Sequence, residues 1–523
     1  MTGAVKRGLM LFAPAAALSF LGWRLFWFLC DDAFIEFRYA SNLLAGRGLV
    51  WNPAPFVPVE GYTSWSWVML LAGVWKVLGV EPPDAANVLS LLFGLASLAV
   101  VVVLLLRLEV PLPLSVLALL GMVTNRTWLT WLSSGLETSL FDFTVLLWVL
   151  AAVVRPRTLW LLASAAAACT LTRPDGWLLW MGTVAIALGA RSTGALTNRG
   201  VVGLSPLLLP VAHLLWRHSF YGEWVPNTFY AKAAGAWPEA GLRYLFCFLL
   251  ENGGWVVLLL AGEWLVRNWR RRSELQQHFA PAVVALTLVA HAAYYTLVIG
   301  GDHFEYRIFA HLIPLQFVAA AWLAPKVFTR FSLAAAGFVV LASWPLGWVH
   351  WLKSKDVTRH EDLMPLVVPV APSFPPGLSA IAGVFDSQQQ WLIRHLVCQR
   401  HQQHKMIRLE LTAQLPPRSE GSKVSWDTRP IQAWGVVGVM GWTFPNLGII
   451  DTLGLNDRVV AHGPIVDENE RKMAHDRMPP PGYVECFRPN FMVGNPWREV
   501  PREPPLTDDD IRRCESAFAE GAR

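Results

Sequence analysis

Two adjacent carboxylates, Asp31 and Asp32, follow the first long apolar stretch of the chain. Neighbouring acids at a membrane surface repel each other and gain nothing from packing. One of them can act as a general base while the other orients a substrate or binds a cation. The structural alternative is a solvated helix cap that begins the amphipathic stretch Ala33–Leu44, since Asp is a favoured cap. Both residues are candidate catalytic groups, with a small preference for Asp31 because it lies nearer the first helix.

Further polar motifs stand between apolar runs and supply both acids and cations. Arg307 and Lys232 are natural partners for an anionic group, because Arg offers a planar fork for phosphate and Lys a point charge. The alternatives are an ion pair with Asp302 or Glu305, or snorkelling at the interface. The candidate residues for binding the donor phosphate or substrate are Arg38, Glu60, Tyr62, Glu137, Asn227, Tyr230, Lys232, Asp302, His303 and Arg307.

Three other polar features have mainly structural interpretations. Arg173 and Asp175 flank a proline between two short apolar runs, and we predict that they pair with each other at a helix break. Arg24 lies inside the first apolar run and needs a partner, which an acid of the first loop could supply. No zinc-type spacing or nucleotide-phosphate loop is present in the sequence, so no metal ligand is assigned, and a divalent cation is left open.

The composition places these residues in a membrane protein. Of 523 residues, 54% are hydrophobic and only 15% are charged, whereas soluble proteins carry about 25% charged residues. The 27 Trp favour membrane–water interfaces. The net charge of +5 is modest, and the basic residues form short clusters between apolar runs. Short basic clusters between apolar runs are typical of the loops of a membrane protein, and they do not indicate nucleic-acid binding.

The apolar runs predict about 11 transmembrane helices, since a spanning helix needs about 20 apolar residues. The first, Leu9–Cys30, is long for a signal peptide, and its preceding Lys6 and Arg7 predict a cytoplasmic N-terminus. If the run 64–80 is an interfacial helix that does not cross, every later basic cluster falls on the cytoplasmic side. The other runs lie near 85–107, 112–131, 139–154, 158–172, 174–190, 201–218, 243–266, 279–299, 307–324 and 331–350.

Residues 352–523 contain no spanning run and form a predicted second domain after the membrane domain at 1–351. An odd number of crossings makes this domain extracytoplasmic, on the same side as the first loop. Its alternating and amphipathic stretches predict a small α/β domain. Of its cysteines, Cys486 and Cys514 could form a bridge, although spacing does not establish the pairing. Predicted strands are Ala433–Met440 and Gly448–Leu453, and predicted helices are Gln389–Val397 and Asp508–Phe518.

The first loop carries strings that resemble a known family. They read Asp31-Asp32-Ala33-Phe34-Ile35-x-Phe37-Arg38-Tyr39, Gly46-x-Gly48-Leu49-Val50-x-Asn52-Pro53 and Val59-Glu60-Gly61-Tyr62-Thr63-Ser64. They look like the first outer loop of bacterial GT-C glycosyltransferases related to the mycobacterial terminal β-(1→2) arabinofuranosyltransferase. Shorter matches continue at Ser134–Thr138, Thr172–Gly176, Pro226–Lys232, Gly300–Asp302 and Ile450–Leu455.

The resemblance implies a multi-pass enzyme of the bacterial cytoplasmic membrane that uses a polyprenyl-phosphate sugar donor. It also implies an inverting transfer to an extracytoplasmic glycan or other cell-envelope acceptor, with Asp31 or Asp32 as the base. The string His303–Arg307 departs from the arabinosyl-enzyme pattern, which leaves the sugar open. The rival functions are a transporter or flippase for lipid-linked sugars, which would place its polar residues on broken helices at mid-membrane, and a non-catalytic membrane scaffold.

Overall fold

The computed structural model of the chain is mostly helical. It describes residues 3–154, 158–192, 198–232, 235–268, 279–359, 361–362, 367–467 and 470–519. Two of the basic clusters that were assigned to the cytoplasmic side, Arg155 with Arg157 and Arg270–Arg272, therefore lie outside the described residues. The helices before residue 360 are α1 (Gly3–Leu25), α2 (Asp31–Leu44), α3 (Trp65–Leu78), α4 (Pro82–Arg107), α5 (Leu112–Thr124), α6 (Arg126–Thr130), α7 (Thr138–Val154), α8 (Leu159–Thr172), α9 (Trp177–Ser192), α10 (Asn198–Val202), α11 (Leu208–Tyr221), α12 (Asn227–Lys232), α13 (Pro238–Glu251), α14 (Gly254–Asn268), α15 (Phe279–Tyr294), α16 (Leu312–Val327), α17 (Ser332–Ala342) and α18 (Pro345–Ser354).

The chain is a multi-pass membrane protein. Within the described residues, six helical stretches are long and apolar enough to cross a membrane, and α13 with α14 makes a seventh if the bent pair is one span. Shorter apolar helices α3, α5, α7 and α8 lie in or near other predicted runs. The count of 11 crossings and the interfacial position of α3 therefore stay predictions. The six stretches are Gly3–Leu25, Pro82–Arg107, Gly200–Tyr221, Phe279–Ile299, Arg307–Val327 and Ser332–Ser354.

The run predicted as one helix at 243–266 is broken in the structure. Helices α13 and α14 meet at an angle of 89° around Asn252 and Gly253. Gly253 has a left-handed φ of +70°, and a Cβ there would lie 2.9 Å from the Val339 carbonyl oxygen. Asn252 bonds through its side chain to Asn125, and its backbone carbonyl accepts a hydrogen bond of 2.8 Å from Gln316. Polar side chains thus hydrogen-bond to Asn252 at the break, because a backbone group inside a membrane needs a hydrogen-bond partner within the protein.

Helix packing in the first part of the chain leaves the polar loops together. Helix α4 packs against α1 and α7, while α16 packs against α5, α14 and α17.

Arg24, at the end of α1, is exposed and pairs with no described acid. The predicted partner in the first loop is therefore wrong, because the long side chain reaches the surface of the protein instead.

The C-terminal segment, defined here as residues 367–519, combines helices with two small sheets. Strand β1 (Ile431–Trp434) pairs in parallel with β2 (Gly448–Asp451), and β3 (Phe491–Met492) pairs antiparallel with β4 (Arg498–Glu499). A disulfide joins Cys486 to Cys514. The helices are α19 (Pro376–Arg394), α20 (His401–Gln414), α21 (Arg418–Gly421), α22 (Gly438–Thr443), α23 (Arg458–Ala461), α24 (Tyr483–Cys486) and α25 (Asp508–Ala519).

The predictions for this segment are partly confirmed. The helix predicted at Asp508–Phe518 is α25, and the helix predicted at Gln389–Val397 is the end of α19. The strand predicted at Ala433–Met440 is wrong beyond Trp434, because the following residues form α22, whose first N–H groups bond to the first loop. Strand β2 ends at Asp451, whose side chain accepts N–H bonds from the next turn.

Candidate active site

Asp31 is bonded on both carboxylate oxygens. It is the first residue of α2, and its Oδ2 and Oδ1 accept hydrogen bonds from the backbone N–H groups of Gly438 (2.9 Å) and Val439 (2.8 Å). These N–H groups belong to the first turn of α22, where helical N–H groups lack partners of their own. Burial raises the pKa of Asp31 to about 7, against the effect of these bonds. Asp31 therefore holds α22 against α2.

Asp32 has a different environment from Asp31. Its side chain is half-buried, and its carboxylate makes no hydrogen bond or ion pair with any residue that the structure describes. Burial lowers the pKa of Lys232 and of His475, and it lowers the pKa of His404 to about 4. In all three cases the charge of Asp32 opposes the shift, so the carboxylate is within electrostatic reach of all three side chains.

A cavity of about 360 Å³ lies between α9, α12, the end of α15 and the loop before α16. Its volume is in the range of small-molecule sites. Large apolar side chains at its edge are exposed, among them Met181, Trp224 and Phe229. Other apolar and aromatic lining residues are Trp177, Leu178, Val225, Tyr294, Tyr295, Ile299, Ile308 and Met473, and the charged ones are Arg173, Asp175, Arg217, Lys232, Asp302 and Arg307.

Three of the four cations in this cavity are held by acids. Arg217 lies 2.6 Å from Glu60, and Arg307 lies 3.0 Å from Asp302. Arg307 also stacks over Phe304, 4.4 Å from the ring centre. Lys232 makes no ion pair or hydrogen bond with a described residue. The cavity thus offers a fixed guanidinium and an ammonium that is available to an anion.

The third arginine, Arg173, is held by the most acids. It lies 3.1 Å from Asp175 and 2.8 Å from Glu137, and it donates to the hydroxyl of Tyr295. The predicted pairing of Arg173 with Asp175 is confirmed, and it sits at the break between α8 and α9. Glu137, predicted to bind substrate, instead forms part of this buried ion pair.

Arg38 was predicted to bind substrate, but its guanidinium is fully buried and satisfied by protein groups. It donates to the backbone carbonyls of Gly441 (2.9 Å), Phe444 (3.1 Å) and Leu447 (2.7 Å), and to that of Trp51 (2.8 Å). The prediction is therefore corrected. Arg38 ties the first loop to the C-terminal segment, because carbonyl groups that cluster at the end of α22 offer a buried guanidinium several acceptors.

Three more predicted binding residues have structural partners. Asn227 is buried and donates to the carbonyls of Gly454 (2.7 Å) and Leu455 (3.1 Å). Tyr62 is buried, with its hydroxyl 3.3 Å from that of Tyr221. Tyr230 donates to Glu223 and lies against the ring of His462. None of these three side chains lines the cavity of Lys232 and Arg307, although each supports a loop that does.

A buried charge network next to the site was not predicted from the sequence. Arg126 forms two bonds to Glu305, of 2.9 and 3.0 Å, and Arg400 lies 3.0 Å from Glu305 and 2.9 Å from Glu251. Burial alone would raise the pKa of Glu305, but the charges of Arg126 and Arg400 hold it well below its usual range. The partners are 95 or more residues from Glu305, so no local pattern indicates the network.

The described residues contain no group of three or more His, Cys, Asp or Glu side chains arranged to hold a metal ion. The cysteines outside the disulfide, namely Cys30, Cys169, Cys247 and Cys398, are buried.

Comparison with known proteins gives related membrane enzymes. The chain is 29% identical over 292 residues to the terminal β-(1→2)-arabinofuranosyltransferase of Mycobacterium tuberculosis, covering 51% of this chain and 46% of that protein. It is 27% identical over 405 residues to the enzyme of the same name from Corynebacterium glutamicum, covering 66% and 58%. The chain thus spans about half the length of these curated relatives. No family model matches it.

A solved structure shares the architecture. ArnT from Cupriavidus metallidurans, bound to undecaprenyl phosphate, superposes with a TM-score of 0.51 at 12% identity, covering 84% of this chain and 85% of that one. The chain therefore shares the fold of ArnT. The relatives matched by sequence are named terminal β-(1→2)-arabinofuranosyltransferases, so the predicted resemblance is confirmed.

Proposed function

We propose that the chain is a membrane glycosyltransferase that transfers a sugar from a polyprenyl-phosphate donor to an extracytoplasmic glycan or other cell-envelope acceptor. The observation that carries the proposal is the carboxylate of Asp32 within electrostatic reach of Lys232, one of the cations of the cavity. Asp32 is a carboxylate without a bonded partner among the described residues, and the cavity combines apolar walls with Lys232 and Arg307.

The donor fits the cavity by its chemistry. The exposed apolar edge formed by Met181, Trp224 and Phe229 suits a prenyl chain that arrives from the bilayer. Lys232 and Arg307 suit the phosphate, which must leave as an anion and is stabilised by fixed cations. The two relatives and the lipid phosphate bound to ArnT support this donor class.

The reaction then needs one base. Asp32 takes the proton of the acceptor hydroxyl, the oxygen bonds to the anomeric carbon, and the bond from that carbon to the phosphate oxygen breaks with inversion. The phosphate keeps the electron pair beside Lys232 and Arg307. Asp32 suits this role better than Asp31, because both oxygens of Asp31 already accept N–H bonds, and a base must reach the proton it removes.

The topology proposed with this function has 11 crossings in a membrane domain at 1–351, an interfacial α3, and an extracytoplasmic domain at 352–523 in the cytoplasmic membrane of a bacterium. The contact of α2 with α22 supports a common side for the first loop and the C-terminal segment. The basic loops support a cytoplasmic location for the opposite ends of the helices.

A transporter of lipid-linked sugars is the second candidate, since the 89° bend between α13 and α14 is the kind of broken helix that transporters use. The bend is closed by Asn125 and Gln316, however, and the unpaired charges of the site lie elsewhere.

The purified protein should be given synthetic polyprenyl-phosphate sugars with a panel of glycan acceptors. Release of polyprenyl phosphate with an inverted glycosidic product supports the proposal. Movement of the intact lipid across vesicles without cleavage would overturn it.

A further inference from the structure

Three histidines from three separate elements pack against one another close to the donor cavity. They are His303 in the loop before α16, His404 in α20, and His475 in the C-terminal segment. The ring centre of His303 lies 5.2 Å from that of His404 and 5.1 Å from that of His475. Neither the base nor the phosphate-binding cations of the proposed function account for this cluster.

Backbone carbonyls determine which nitrogen carries the hydrogen in two of these rings. His303 Nδ1 lies 2.8 Å from the carbonyl oxygen of Leu396, and His475 Nδ1 lies 2.8 Å from that of Met473. A carbonyl can only accept, so each Nδ1 carries the hydrogen, and in the neutral ring Nε2 is left as an acceptor. Burial lowers the pKa of both rings, which keeps them neutral at neutral pH.

The third histidine has a buried nitrogen that lacks a partner. His404 is only 5% exposed, and its Nε2 bonds to no described residue. Its ring stacks on Phe304 at a centroid distance of 4.2 Å, which fixes its plane. A buried polar atom without a hydrogen bond is costly, so a ligand group that bonds to this nitrogen would remove that cost.

The cluster adjoins both the base and the donor cavity. The charge of Asp32 acts on His404 and on His475. Met473, whose carbonyl holds His475, is itself a wall of the cavity that contains Lys232. An acceptor bound at the histidines would therefore lie next to the bound donor and within electrostatic reach of Asp32.

We propose that His303, His404 and His475 form the acceptor subsite, and that this subsite selects an uncharged sugar. The inference rests on the proposed function. The neutral rings of His303 and His475 present Nε2 lone pairs that accept hydrogen bonds from sugar hydroxyls, and the unpartnered Nε2 of His404 is a third bonding position. The Nε2 atoms of His303 and His475 offer no bond to a carboxylate or phosphate on the acceptor, since those groups are themselves only acceptors when ionised.

The test compares two reactions of the same purified protein. Donor hydrolysis is measured without acceptor, and transfer is measured with neutral pentose and hexose disaccharides and with their uronic-acid counterparts. For His475→Phe and His404→Phe, the acceptor KM is expected to rise about tenfold or more, the effect of one lost bond of typical strength. The donor KM and the hydrolysis rate should stay at parent values, and His475→Gln should recover part of the loss because its amide can reach the Nε2 position.

The matched control is His395→Phe. This ring is anchored in the same way, with Nδ1 2.7 Å from the Trp391 carbonyl, but it stacks on Trp391 and is not part of the cluster. An unchanged acceptor KM in folded His475→Phe and His404→Phe, or equal use of neutral and uronic acceptors, would overturn the subsite alone. Absence of donor cleavage in the parent protein would instead overturn the proposed function together with the subsite.

Discussion

The carboxylate of Asp31 accepts a hydrogen bond of 2.9 Å from the backbone N–H of Gly438, 407 residues further along the chain. The close approach depends on the glycine, since a Cβ at position 438 would lie 1.9 Å from the Asp31 carbonyl oxygen. The side chain of its neighbour Asp32 has no such bond within the described structure. The two adjacent acids thus differ in their hydrogen bonding, and this difference gives the first prediction.

Asp32→Asn should lower the turnover number by about 10²–10⁴-fold and leave the donor KM nearly unchanged, because it removes the basicity and keeps the shape. Asp31→Asn should retain much of the turnover and should lower the thermal unfolding temperature, since one N–H group of α22 would lose its carboxylate partner. Steady-state transfer assays and thermal unfolding of both variants measure this. Parent turnover in Asp32→Asn would rule out this base, and a larger loss in Asp31→Asn would reverse the assignment.

Lys232→Met should raise the donor KM by about tenfold or more, since this ammonium is available to the donor phosphate. Arg307→Lys should also weaken donor binding, because Lys cannot reproduce a fork that Asp302 orients. Binding of a synthetic polyprenyl phosphate provides the measurement. Lys326→Met is the control, because Lys326 stacks on Trp322 and does not line the cavity. Unchanged affinity in both test variants would assign these cations to structure.

Ser419→Cys should react with a membrane-impermeant thiol reagent from the extracytoplasmic side. Ser419 is exposed, while the four free cysteines of the protein are all buried, so the background labelling should be low. Arg107→Cys, at the exposed end of α4, should react only after the membrane is opened. The reverse pattern would contradict the topology and with it the extracytoplasmic site.

Cys514→Ser should destabilise the C-terminal segment by about 2–4 kcal/mol, the usual contribution of a bridge, here between residues separated by 28 positions. Thermal or denaturant unfolding followed through that segment measures the loss. Cys486→Ser should give the same loss, and the double variant should add little to either. Free thiols at both positions in the exported protein would show that the bridge does not form.

Glu305→Gln should cost about 3–5 kcal/mol of stability, the range expected when one partner of a buried ion pair is removed. Arg126 and Arg400 would then share one remaining acid, Glu251. The unfolding temperature in detergent or nanodiscs reports the effect. Glu239→Gln is the control, since its bond to Arg243 is solvent-exposed, and such pairs contribute little. Equal losses in the two variants would contradict the importance of the buried network.

The sequence predicted features that depend on local chemistry. The apolar run of α4, the amphipathic start of α2 and the pair Arg173–Asp175 all follow from residues close to one another in the chain. Lys232 and Arg307 were also predicted as partners for an anionic group. In the structure both cations line the same cavity, and Lys232 forms no ion pair with a described acid.

Long-range pairings explain what the sequence did not predict. The residues around Met440 have the pattern of a strand, but bonds to Asp31 and Arg38 stabilise a helix there instead. Arg38 was predicted to bind substrate, but its guanidinium donates to carbonyl groups that lie 403–409 residues away in the chain. The role of His404 depends on its neighbours His303 and Phe304, which lie in another element.

The bonds from Arg38 to Gly441, Phe444 and Leu447 have a consequence for biogenesis. A ribosome delivers the first loop long before these carbonyls exist, so the Arg38 guanidinium has to stay hydrated at the membrane surface while the later helices are inserted. In the proposed topology, the loop takes its final position only after residues 438–447 have crossed the membrane. A chain that stalls after the last membrane helix would then lack the partners of Arg38, so the final position of the first loop would depend on export of the C-terminal segment.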